Sequence, residues 1–434
     1  MRLFLTKGML MTERLQKSVE ELASIFSSHF PTSREGERTI GRESEYPVVL
    51  PNGDAFDVQQ LWPLLIEKTG FRPLKEGDLI VGLEGEDASF SLEVGWGTIE
   101  IITRPCQHLH EMCAIQDKTM ESLLEAVDSF GAHVLGCGIQ PKTPPTHALM
   151  SGKKRYGLLL ETIGEPWLWF ATTASDQLHV SVVRDEVVSL LNIGNVLACV
   201  SIALCGNSSV YGGQHHGFIS SREGQMKTIS SEQYRHGMPA RAIRDIEDWI
   251  ALSAQQQFLM NKKDGVYEQA EGTFASFIEE NGVDFEAFLM HDHYLWNSAR
   301  ARTAHGTIEL RSPCQQPWPE HYAAATLGVG LFEAGEALSV WLDGVLGDAL
   351  WPTMRAYHHD VIHKGLAADE PFEGFLRGVL ERCEAALVAR GFGEESLMAP
   401  LWKRLEAKQN PGQQALAVFE EGGMEALIPF LAIR

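Results

Sequence analysis

The sequence predicts an α+β fold, an antiparallel or mixed sheet with helices on one face. Strand-like segments come in runs instead of alternating one by one with helices, several of them show period-2 polarity, and from about residue 346 onward the periodicity is helical. With 44% hydrophobic and 22% charged residues over 434 positions, the chain has ordinary globular composition and is neither disordered nor fibrous.

Taken in order, residues 12 to 30 place Leu15, Val19, Leu22 and Ile25 on one helical face, with Thr12 as N-cap. The block TIGRESEYPVVL reads as a strand closed by the turn Pro51-Asn52-Gly53-Asp54. Further strands are expected at 79–85, 88–94, 97–103, 132–139, 176–183 and 306–312. Helices are expected at 108–131, 185–204, 241–260, 268–280, 318–345, 370–391 and 413–431. The polar stretch from Gln214 to Arg241 reads as a mobile loop. This gives an N-terminal helical segment over 1–34, a central domain over 35–345, and a helical C-terminal extension of that domain over 346–434.

The formal net charge of −22 repels phosphate backbones, which argues against a nucleic-acid partner. Seven cysteines without a Cys-x-x-Cys pair fit neither a zinc ribbon nor a disulfide scaffold. The opening MRLFLTKGMLMTERLQKS has no small-residue cleavage site, so cytoplasmic residence is expected. The uncharged run from Val187 is interrupted by Ser189, Asn192, Asn195 and Ser201 and reads as a buried helix, so no membrane partner is expected. A homo-oligomer stays open.

Alternate residues of a strand share a face. Glu43 therefore sits with Glu45, Thr98 with Glu100, Gln177 with His179, and Thr307 with Glu309 and Arg311, while the intervening Ile99, Ile101, Leu178, Val180, Ile308 and Leu310 form apolar faces. Each polar face read alone fits the solvated side of an antiparallel sheet. If the faces converge, a cation must lie between the carboxylates, because close unpaired carboxylates take up protons. Oxygen-rich sites of this kind suit Mg²⁺ or Mn²⁺, and a single histidine suits Mn²⁺. No P-loop and no strand followed by GxGxxG is present. Phosphate would then be held by metals and by basic residues, with Lys153, Lys154, Arg155, Arg222, Arg300, Arg302 and Arg311 as candidates.

The stretches GRESEY, ASFSLEVGWGTIEII, KKRYG, DQLHVSV, CGNSSVYGG leading to GFISSRE, and HGTIELRSPCQQPW resemble, in order and spacing, the glutamate-cysteine ligase family of the plant and bacterial carboxylate-amine ligase type. The C-terminal EEGGMEALIPFL resembles the end of bacterial members. The resemblance implies a glutamine-synthetase-like catalytic fold, a curved antiparallel sheet forming a funnel with helices on the outer face. It also implies an ATP-dependent ligase that phosphorylates the side-chain carboxylate of glutamate and passes the acyl phosphate to an amine such as that of cysteine. Its partners would be ATP and small amino acids, and its metal Mg²⁺ or Mn²⁺. Carried over, Glu43, Glu45, Glu93, Glu100, His179 and Glu309 would form the metal shell, and Glu43, Glu45, Glu100, Glu309 and Arg311 the catalytic set. Arg155, Tyr156, Gln177, Arg222, Trp296 and Arg300 would lie on the substrate side. Two departures stand out: EVGWGTIE is one residue longer than in plant-type members, and VIHKGL carries His363 where arginine is expected.

Three rival readings have their own residues. His359 and His363 stand at i and i+4 on an expected helix, a spacing that serves zinc hydrolases. Paired carboxylates with ten Trp suit a glycosidase, although arginines around Glu309 favour anionic substrates. A non-catalytic relative that binds an amino acid or peptide is the third.

Overall fold

The computed structural model describes residues 3–6, 9–229 and 235–434. Nine strands form one antiparallel sheet. They are β1 (Ile40–Val49), β2 (Arg72–Glu76), β3 (Leu79–Glu84), β4 (Ala88–Leu92), β5 (Thr98–Thr103), β6 (His133–Val134), β7 (Asp176–Ser181), β8 (Ala299–Arg302) and β9 (Thr307–Leu310). Their order is β8-β9-β7-β1-β5-β4-β3-β2, with β6 paired to the end of β1. The long strand β1 therefore has partners along both edges, β7 on one and β5 and β6 on the other.

Register follows from polarity. Apolar residues of one face, among them Leu178, Val180, Ile308 and Leu310, are buried against helices, which forces their neighbours to the opposite face. Leu109–Asp128 packs on β1 and β5, Val187–Val196 on β8 and β9, and Ala323–Glu333 on β7. The last helix comes close because of Gly328: a Cβ there would lie 2.6 Å from Leu178 Cδ2. The opposite face is roofed by Lys154–Ile163, the 3₁₀ segment Glu165–Ala171 and Ser221–Ile229, whose apolar residues form a separate cluster around Trp167, Trp169, Phe170 and Met226.

Several expected elements differ in extent. Thr12 caps Glu13–Ser28 and accepts from Leu15 N as expected. The run from Val187 is two buried helices, Val187–Val196 and Ala198–Cys205, bent by 42°. No single helix among the described residues is long and apolar enough to cross a membrane. The expected helix at 318–345 also divides, into Ala323–Glu333 and Gly335–Leu346, and the strand at 132–139 shrinks to His133–Val134 because later residues make only isolated bridges. The stretch Gln214 to Arg241, expected to be a mobile loop, contains the helix Ser221–Ile229, while residues 230–234 of it lie outside those described. That helix begins where Arg222 N donates to Ser208 Oγ and its side chains join the roof cluster, so tertiary contact overrides a polar composition.

Beneath the sheet Arg42, a buried neighbour of Glu43, donates from Nε to Asp176 Oδ1 at 2.7 Å and from Nη2 to Asp176 Oδ2 at 2.9 Å. The same guanidinium donates to the His321 carbonyl at 2.6 Å. This fork ties β1 to β7 and both to the C-terminal helices. Asp176→Asn leaves a buried arginine uncompensated and should destabilise the protein by about 3–5 kcal/mol in denaturant unfolding. Replacement of both partners by apolar residues should cost less than that single change.

Candidate active site

The polar face of the sheet floors a cavity of about 220 Å³. Its construction follows from register. Glu45 lies opposite Glu100 across β1 and β5, and Glu43 lies opposite Gln177 across β1 and β7. One row further, His179 faces Glu309 and Glu309 faces Arg300. Glu93 follows the end of β4, in a turn pinned where Gly95 meets the wall; a Cβ on Gly95 would lie 1.9 Å from the Ala171 carbonyl oxygen.

The six residues of the expected metal shell fall into two groups, Glu43 with His179 and Glu309, and Glu45 with Glu93 and Glu100. In each group one ligand atom per residue lies within 4.8 Å of the others. Donor sets of carboxylate oxygens with one imidazole fit Mg²⁺ or Mn²⁺. His179 Nε2 is 3.1 Å from Glu43 Oε1 and its Nδ1 is 3.1 Å from Thr307 Oγ1, so both ring nitrogens are oriented.

The two groups differ in charge balance. Burial opposes ionisation of Glu309, yet Arg300, Arg311 and Arg302 hold it well below the usual carboxylate range. Arg300 Nε donates to Glu309 Oε2 at 2.8 Å, Arg302 Nε stands 3.5 Å from the same oxygen, and Arg311 donates to Glu309 Oε1 and to Gln177. Glu43 is half-buried, and His179 lowers its pKa against the effect of desolvation. In the second group burial raises Glu45 to about 7, with the Glu93 carboxylate adding to the effect. Burial and then Glu93, Glu43 and Glu45 push Glu100 well above its ordinary value. Glu93 is also raised by burial, against the pull of Lys153 and Arg155. The first group is thus neutralised by protein, and in the second the pull of Lys153, Arg155 and Arg222 does not offset burial and mutual repulsion.

The roof supplies Arg155, Tyr156, Arg222 and Trp296 to the same cavity, together with Trp167, Phe170 and Tyr294. Arg155 Nε and Arg222 Nε are buried and have no hydrogen-bond partner among the described residues, so each is available to an anion. Every expected substrate-side residue lines the cavity, as do Glu43, Glu45, Glu93, Glu100 and Arg311; His179 and Glu309 stand just behind through their pairings with Glu43 and the arginines. The aromatic wall of Trp167, Phe170 and Tyr294 was missed. Trp167 and Phe170 belong to the apolar EPWLWFA run, which forms the 3₁₀ segment Glu165–Ala171, and Tyr294 follows the helix Phe285–His293. Lys153, considered for phosphate, is buried and donates to the Leu92 carbonyl near Glu93. Lys154 begins the helix Lys154–Ile163. His359 and His363 lie apart from both acidic groups, with His363 Nδ1 3.0 Å from the Gly217 carbonyl oxygen. Neither belongs to a three-ligand group among the described residues.

Solved ligases share this fold. The glutamate–cysteine ligase of Francisella tularensis in complex with AMP superposes with a TM-score of 0.55 at 10% identity, over 92% of this chain and 88% of that one. The bifunctional glutathione synthetase of Pasteurella multocida gives 0.54 at 12% identity, over 97% of this chain, which spans 53% of that longer protein. Among curated relatives, the chloroplastic glutamate–cysteine ligase of Arabidopsis thaliana is 28% identical over 389 residues, covering 82% of this chain and 70% of the relative. The Medicago truncatula counterpart is 24% identical over 396 residues, covering 83% and 74%. The fold, the site and these relatives define an ATP-dependent ligase. Residues 39–428 match the model of glutamate-cysteine ligase family 2, and the chain belongs to that family.

A carboxyl group with a raised pKa opposes folding once the unfolded chain would ionise it. For Glu45 the cost grows as pH climbs from its ordinary 4.5 to about 7 and is constant above that. Glu43 and Glu309 act oppositely, losing their stabilisation as pH falls below the ordinary range. Metal-free protein should therefore melt at a lower temperature at pH 8 than at pH 6, and Mn²⁺ should raise the midpoint more at pH 8. Glu100→Gln should raise the metal-free midpoint at pH 8 and blunt the Mn²⁺ response, both read by thermal denaturation with and without chelator.

Proposed function

We propose that the protein activates the side-chain carboxylate of glutamate, or of a similar amino acid, as an acyl phosphate and joins it to an amine such as the amino group of cysteine. The carrying observation is that two three-ligand groups, one with its His179 and Glu309 just behind the wall, and two unpartnered arginine Nε donors gather around one cavity. The names of the chloroplastic relatives support glutamate and cysteine as substrates, and the AMP held by the Francisella enzyme supports a nucleotide site.

Divalent ions held by Glu45, Glu93 and Glu100, and by Glu43, His179 and Glu309, would supply charge neutralisation and alignment to a polyphosphate. The chain's own groups do the rest. Arg155 and Arg222 offer their free Nε–H groups to a substrate carboxylate or phosphate oxygen. Gln177 donates from Nε2 to Glu45 Oε1 at 2.9 Å, and Ser175 N donates to Glu45 Oε2 at 2.6 Å, which fixes that carboxylate for its task. In the chemistry, a carboxylate oxygen bonds to the γ-phosphorus and ADP leaves. An amine nitrogen then bonds to the acyl carbon as the C–O bond to phosphate breaks. Arg300 and Arg311, pre-aligned by Glu309, place positive charge near the oxygens where negative charge develops. The aromatic roof keeps water from the acyl phosphate.

A phosphate-release screen over pairs of acids and amines, with product masses read out, tests the reading. Release that requires both glutamate and an amine is expected; no release from any pair, with folded protein, ATP and Mg²⁺, overturns it. Glu43→Gln should lower turnover by more than the roughly 10–100-fold typical of an outer-shell group while the fold persists. Arg311→Lys should lower kcat/KM by about tenfold or more, because a point charge cannot replace a guanidinium shared between Glu309 and Gln177.

A further inference from the structure

A second cavity of about 290 Å³ adjoins the first. The two share Arg155, His293, Tyr294 and Arg302 as a common wall. Asp292 lines this annexe, near the C-terminus of the helix Phe285–His293 and only 5% exposed. Its Oδ1 is enclosed and has no hydrogen-bond partner among the described residues. A buried carboxylate left without a donor costs several kcal/mol unless something outside the chain completes it. The groups around it are known: Arg300 and Arg302 lower its pKa while burial and Glu309 raise it, leaving it at about 6. Arg300 itself is engaged by Glu309 and by the His293 carbonyl, which explains why it makes no bond to Asp292. Leu289, Met290 and Ala304 give the annexe apolar surface, while Lys262, whose Nζ lies 5.2 Å from the Tyr267 ring centroid, and Glu286 also line it.

Resting on the ligase reading above, we infer that this annexe is the acceptor subsite and that Asp292 receives the ammonium group of a primary amine whose substituent is apolar. The pairing answers each feature in turn. A cation with N–H donors satisfies a carboxylate oxygen that has none, and the surface of Leu289, Met290 and Ala304 suits an aliphatic or aromatic substituent. The step balances. The ammonium, R–NH₃⁺, gives one proton to Asp292, and its freed electron pair forms the C–N bond to the acyl carbon. The C–O bond to phosphate breaks, and inorganic phosphate leaves with the second proton. Asp292 then returns its proton to solvent through the annexe. A carboxylate that is ionised at neutral pH, yet more basic than an exposed one, suits that exchange.

Hydroxylamine separates the two layers of the reading, because it is small and uncharged at neutral pH, and the one proton that its nitrogen loses can leave with the phosphate, without Asp292. With ATP, Mg²⁺ and glutamate, wild-type protein should form glutamyl hydroxamate and should couple apolar primary amines more efficiently than lysine-like diamines or amino diacids. Asp292→Asn should lower the ratio of amine coupling to hydroxamate formation by about a hundredfold. Its remaining amine coupling should rise with pH as free amine accumulates. Ala304→Trp, a change at an exposed turn that the fold tolerates, should raise KM for the amine more than for glutamate. Absence of hydroxamate from wild-type protein would overturn the ligase reading itself. Hydroxamate formation with an unchanged coupling ratio in Asp292→Asn, or an unchanged amine KM in Ala304→Trp, would overturn the acceptor assignment alone.

Discussion

Carboxylates that share a low-dielectric cavity must each find a positive partner or keep a proton, and this requirement organises the molecule. At one end the chain meets it internally: Glu309 is encircled by Arg300, Arg302 and Arg311, and Glu43 rests on His179. At the other end Glu45, Glu93 and Glu100 crowd together with less compensation, so the protein stores a deficit of positive charge where a divalent ion would relieve it. The overall charge of −22 compounds this, since it draws cations toward the surface and repels anions, which inside the cavity would meet Arg155 and Arg222.

The deficit is held in place by ordinary fold chemistry. Helices bury the apolar face of the sheet, which leaves the acidic face no freedom to turn outward, and the Arg42–Asp176 fork locks the central strand to its neighbour from below. Rigidity beneath and recognition above are contributed by alternate residues of the same strands, Arg42 and Ser44 on one side and Glu43 and Glu45 on the other. The roof is built differently, from a short helix, a 3₁₀ segment and strand ends, and so its aromatic residues are placed by tertiary packing.

That contrast explains what could be read from the sequence. Glu43, Glu45, Glu100, His179 and Glu309 were visible because a period of two fixes a strand's face without knowledge of its neighbours. Their division into two groups was not, since it depends on β1 lying between β5 and β7, a long-range pairing. Trp167, Phe170 and Tyr294 escaped because an apolar run in a 3₁₀ segment looks like core, and core it partly is. Asp292 falls in no element expected from the sequence, and tertiary packing at the end of the helix Phe285–His293 leaves its Oδ1 enclosed without a donor among the described residues. Helix extents failed where buried turns intervened, as at the bend between Val196 and Ala198 and the break between Glu333 and Gly335.

The central strand also serves as a ruler. Glu43 and Glu45 are successive same-face residues of one extended segment, so their backbone anchors stand about 7 Å apart. Binuclear centres that bridge a single oxygen keep their ions about 3.5–4 Å apart. The two acidic groups are therefore each anchored by one of these residues, Glu43 in one and Glu45 in the other. Insertion or deletion of one residue in that strand would change the spacing and turn one of the two carboxylates into the hydrophobic underside, so the length of this segment is as much a part of the chemistry as the acids it carries.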